Sequence, residues 1–126
     1  MIVKCPVSLG ELVDKISILE IKNKKIKDSS KLEDIKKELE LLKNNLSSLD
    51  LENIASFLER LIEVNTVLWE IEDEIRDLER GKDFGARFVE VARAVYVTND
   101  ERFKIKKEIN HHYGSDVKEV KSYKEY

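Results

Sequence analysis

Two stretches of this sequence place charged, amide and aromatic side chains where helical spacing would stack them. Asn65, Trp69, Glu72 and Arg76 follow one another by four, three and four positions, so in a helix they form one line. Arg87, Glu90, Arg93, Tyr96 and Asn99 follow one another by three. Both lines run beside apolar seams, so both are expected to be buried, and a buried charge is costly unless it is paired. Two chemistries fit these residue types. One is a hydrogen-bonded ion network that sets helix register, with Glu72 and Glu90 facing Arg76, Arg87 or Arg93. The other is a polar pocket for a small phosphorylated ligand, with Arg87 and Arg93 as the anion clamp, because a guanidinium grips phosphate through two parallel hydrogen bonds.

Carboxylates at i, i+3 share a helix face, as Glu11/Asp14 and Glu70/Asp73 would. Mg²⁺ takes hard oxygen ligands of this kind. The all-α nucleoside-triphosphate pyrophosphatases set an E-x-x-E pair on one helix and an E-x-x-D pair on the next. Here Glu90 is followed three positions later by Arg93, so that pattern is not completed. No metal is expected, and Mg²⁺ at these carboxylates is the alternative. His111 and His112 point about 100° apart on a helix and do not chelate one ion. Asp83-Phe84-Gly85 has no nucleotide loop or catalytic loop upstream and carries no kinase meaning. The single cysteine, Cys5, reads as a small apolar residue in a reduced compartment.

The elements that must position these residues are helices. Hydrophobic residues make up 41% and charged residues 39%, with only four glycines and one proline, the composition of long amphipathic helices. Ser8 with Glu11 reads as a capping box opening a helix over about 9–27, with Leu9, Leu12, Ile16, Leu19, Asn23 and Ile26 on one face. Ser30 with Glu33 opens a second over 31–47, seamed by Leu32, Ile35, Leu39, Leu42, Leu46 and Leu49. Asp50 is a candidate cap for a third over 51–80, seamed by Phe57, Leu61, Val64, Leu68, Ile71, Ile75 and Leu78. Gly81 and Gly85 bracket a turn, and a fourth helix spans 86–113 up to Gly114. Thr98 with Glu101 offers a restart within it. The tail, 115–126, is charged, and a short strand beside residues 2–7 is one reading of it. The whole is an all-α domain over 1–126, four long antiparallel helices in a bundle, with a two-stranded pairing of the termini as an addition.

Length and charge narrow the function. At 126 residues the chain is one domain. Its net charge of −3 argues against a general nucleic-acid binder. No apolar run is long enough to span a bilayer and no signal peptide is evident, so a cytoplasmic location is expected. Charge is nonetheless uneven: residues 22–43 hold eight lysines against five acids, and residues 50–79 hold ten acids against two arginines. These segments are expected to attract each other, within the fold or across a dimer.

The blocks LGELVDKISILEIK (9–22), LWEIEDEIRDLE (68–79), DFGARFVEVARAVYVTNDER (83–102) and EVKSY (119–123) resemble an uncharacterised bacterial family of unknown function. The resemblance implies no activity. It draws attention to Asp14, Lys15, Glu72, Asp73, Arg76, Arg87, Glu90, Arg93, Asn99 and Asp100 without giving them roles. A setting near glycan-assembly genes would point to nucleotide sugars or a partner enzyme. The expectation is therefore a non-catalytic helical interaction or oligomerisation module, with a protein partner that includes a second copy of itself. The alternative is a binder or metal-dependent hydrolase of a nucleotide or nucleotide sugar, working between the first, third and fourth helices. Its site would draw on Trp69, Glu72, Arg76, Arg87, Glu90, Arg93, Tyr96 and Asn99.

Overall fold

A computed structural model describes residues 1–126 and contains four helices and no strand. They are α1 (Leu9–Lys25), α2 (Ser29–Ser48), α3 (Ile54–Arg80) and α4 (Ala86–Tyr113). None is long and apolar enough to cross a membrane.

Local chemistry sets most of the ends. Ser8 caps α1 by accepting the Glu11 amide at 3.1 Å. The other half of that box is missing, because the Glu11 carboxylate turns instead to Lys106. At α2 the cap is Asp28, not Ser30. Its Oδ1 accepts from the Ser30 and Lys31 amides and from the Ser30 hydroxyl, which holds the Asp28 carboxyl below its ordinary value. Asp50 does not cap α3. It is one of two left-handed residues in the preceding turn, and the other, Asn53, precedes the helix. Thr98 is buried within an unbroken α4, so no helix restarts there. Gly114 turns left-handed after α4, and the Ser115 amide reaches back to the Asn110 carbonyl at 2.9 Å.

The helices pack around α1, which makes close backbone approach to each of the other three. The remaining close pair is α3 with α4, and α2 approaches only α1. That position explains why α1 buries residues around most of its circumference: Gly10, Val13, Asp14, Ile16, Ser17, Leu19 and Ile21. One apolar cluster joins Val13 to Phe57, Leu61, Val64 and Ile109. A second joins Ile16 and Leu19 to Ile35 and Leu39 of α2. The seam of α3 is buried only as far as Leu68, and Ile71, Ile75 and Leu78 stay half-covered.

The termini do not pair as strands. Residues 1–7 are exposed, and the tail returns along α4 held by side chains alone. Glu119 meets Lys106, Lys121 lies over the Phe103 ring, and Tyr126 packs on Tyr96. The Tyr126 hydroxyl donates to Asp100 at 2.7 Å, which pushes the phenol up to about 12. A strand ladder needs two segments whose alternation matches, and the tail has charges where one face should be apolar.

Candidate functional site

The polar residues buried in this fold are mostly not those that the helical lines suggest. They form a chain of contacts where α1, α3 and α4 meet. Asp14 is fully buried. Its carboxylate accepts from Arg102 Nε at 2.9 Å and from Arg102 Nη2 at 2.5 Å. Asn65 Nδ2 donates to Asp14 Oδ1 at 2.9 Å and to Ser17 Oγ at 2.8 Å. The Ser17 hydroxyl donates in turn to the Asp14 backbone carbonyl at 2.6 Å. Arg102 Nη1 reaches Asn99 Oδ1 at 3.5 Å. The hydrogen bond to Asp14 holds the Arg102 pKa above its ordinary value against the cost of burial.

One turn along, Lys106 is only 5% exposed. Its ammonium lies 2.7 Å from Glu11 Oε2 and 3.0 Å from Glu119 Oε1. Burial opposes that charge most strongly, yet hydrogen bonds to Glu11 and Glu119 and the field of Asp14 hold it above the ordinary lysine value. A further turn on, Asn110 Oδ1 accepts the Gly10 amide at 2.7 Å. Here α1 and α4 nearly touch: a β-carbon on Gly10 would stand 2.5 Å from the Lys106 carbonyl oxygen. The site's α4 side is thus Arg102, Lys106 and Asn110, each four positions apart. Its α1 side is Gly10, Asp14, Ser17 and Ile21. Those two spacings were the signal available in the sequence for these residues.

Beside this network lies an open groove of about 450 Å³ between α1, α3 and α4. Ile18, Ile21, Leu68 and Trp69 give it apolar surface, and Asn65, Glu72, Asp73, Arg76, Asn99 and Arg102 give it polar surface. Of the eight residues singled out, Trp69, Glu72, Arg76 and Asn99 line this groove. Arg87, Glu90, Arg93 and Tyr96 do not, and all four are exposed. Their expected burial is overturned because no third helix covers that part of the α3–α4 pair. The expected partners are only partly those found. Arg76 meets Glu72 within α3 at 3.5 Å, and Arg87 meets Glu90 within α4 at 3.3 Å. Across the helices Arg87 grips Glu74 with two bonds of 2.7 and 2.8 Å. Arg93 makes no ion pair.

The acid pairs fare differently. Glu11 and Asp14 are each already bound to a cation of α4, which opposes a second positive ion there. Glu70 is exposed and Asp73 lies on the groove. No three acidic, histidine or cysteine side chains converge as a metal-ligand set. The two histidines end α4 in the open, with the His112 ring 4.7 Å from that of Tyr113. Cys5 is exposed. Asn23, expected on the apolar stripe of α1, is half-buried there, and its Oδ1 has no hydrogen-bond partner.

Three blocks far apart in sequence therefore supply one groove: Ile18 and Ile21 from 9–22, Trp69 to Arg76 from 68–79, and Asn99 and Arg102 from 83–102. No curated protein and no solved structure matches the chain. A family model does match, over residues 3–126. The chain belongs to that family, the family of unknown function DUF6165.

Proposed function

We propose that this protein is a non-catalytic helical interaction module that associates with a second copy of itself. The observation that supports this reading is charge left unmatched within one chain. Residues 22–43 carry a net +3 and residues 50–79 a net −8. No ion pair joins the two segments. Glu59, Glu63, Glu70, Asp73 and Glu79 of the second segment face outward and join no ion pair. In a two-fold dimer a patch of each sign on one copy meets its opposite on the other, twice. The half-covered seam at Ile71, Ile75 and Leu78 lies inside the acidic segment and offers apolar area for the same contact. Sedimentation of the full chain at low and high salt tests this. A dimer at low ionic strength that dissociates as salt screens the charges is expected. A chain that stays monomeric at its highest soluble concentration in low salt overturns it.

A second reading, a small-ligand site, is favoured by the groove between α1, α3 and α4, whose Arg102 is anchored by a buried carboxylate. What such a groove would take depends on which of its charges remain free.

A further inference from the structure

We infer that the groove between α1, α3 and α4 receives an organic cation, an amine or guanidinium group. This rests on the small-ligand reading of the groove and names its ligand class. The two cations that line it are spoken for: Arg102 by Asp14, and Arg76 by Glu72. Asp73 is matched by nothing, so the local balance is negative. Asp73 stands four positions after Trp69 and shares its face of α3, and Glu72 borders the groove from the adjoining side of the helix. A free carboxylate beside an indole forms a setting for a cation, because the ring face attracts positive charge as the carboxylate does.

A separate observation points the same way. Asn65 is 6% exposed and lines the groove. Its amide nitrogen must face Asp14, since a carboxylate there can only accept. Asn65 Oδ1 takes no hydrogen bond within the protein, so this groove-lining residue keeps a free acceptor. An incoming N–H could donate to that open acceptor. Acceptors and an aromatic surface, with the arginines neutralised, suit a donor-rich cation better than a phosphate. A bare metal ion suits the set poorly, because Glu72 and Asp73 are adjacent on the helix and point about 100° apart.

Trp69 is the only tryptophan, so its fluorescence reports this groove directly. The full chain would be titrated with putrescine, with the blocked peptide acetyl-Ala-Lys-Ala-amide, with sodium phosphate and with MgCl₂, against KCl of matched ionic strength. A saturable change in Trp69 emission with an amine is expected, weakened about tenfold in Asp73→Asn, the equivalent of ~1.4 kcal/mol. Asp73 is exposed, so the variant should melt like the parent, and melting is measured beside the titration. A response to putrescine alone identifies a free amine as the source, and a response to the peptide identifies a basic side chain of a protein. Saturation by phosphate or Mg²⁺ without an amine response overturns the ligand class and keeps the groove. An amine response that Asp73→Asn leaves intact overturns the assignment to Asp73. No response to any probe overturns the groove reading itself.

Discussion

Asp14 shows how much one side chain can depend on its neighbours. A carboxylate with no exposed surface is tolerable only because Arg102 and Asn65 donate to it from two other helices. Such a pair is weak evidence for net stabilisation, since removing two charges from water costs about what their attraction returns. Removing one partner is another matter. Arg102→Met should lose ~3–5 kcal/mol of stability, because Asp14 would be left buried without its cation. Adding Asp14→Leu should restore part of that loss. Urea unfolding of both single variants and the double variant measures this. Additive losses, with no coupling of at least ~1 kcal/mol, would show that the two groups do not depend on each other. The sequence offered Asp14 as half of an acid pair with Glu11 and as part of a block shared with the family it resembles, without a role. Its role became visible once Gly10, Asp14 and Ser17 were found on the side of α1 facing Arg102, Lys106 and Asn110.

At the scale of the element, the decisive contact is the crossing of α1 and α4 at Gly10. Glycine within a helix usually costs ~1 kcal/mol relative to alanine. At Gly10 the opposite sign is expected. A β-carbon would press on the Lys106 carbonyl, which is backbone and cannot swing aside. Overpacking of that kind costs ~1–3 kcal/mol, which exceeds the gain in helix propensity. Gly10→Ala should therefore lower the melting temperature, while the same change at Gly81, where the nearest atom is 3.5 Å away, serves as the control. A rise in melting temperature for Gly10→Ala would mean that the helices do not cross so closely. Helix existence and seam residues were readable from spacing alone for α1, α2 and α3. The caps of α2 and α3 were not, because several Ser, Asp and Asn residues compete within a few positions and only the turn geometry selects among them.

Over the whole molecule, stability should be uneven. The bundle of α1, α3 and α4 carries both the apolar cluster around Leu61 and the polar network around Asp14. By contrast, α2 buries only Ile35 and Leu39 and approaches the backbone of α1 alone. Its amides should exchange with solvent faster than those of α1 in native-state hydrogen exchange, through local opening that leaves the other three helices folded. Equal protection of α1 and α2 would make the four helices one cooperative unit. The same arrangement keeps the backbones of the basic α2 and the acidic α3 apart, the condition on which the proposed association of two copies depends.

By itself the sequence determined what depends on neighbours along the chain. Periodicity marked the first three helices, Ser8 opened the first, the Gly81–Gly85 turn and Gly114 bounded the fourth, and the groove-lining stripe of Trp69, Glu72 and Arg76 was evident from spacing. Tertiary structure alone decided which face of each helix another helix would cover. Burial depends on where a third helix ends, and spacing along one helix carries no record of that. For this reason Arg87, Glu90, Arg93 and Tyr96 stand in solvent, while Arg102 and Lys106, equally charged, lie against the α1 carboxylates Asp14 and Glu11.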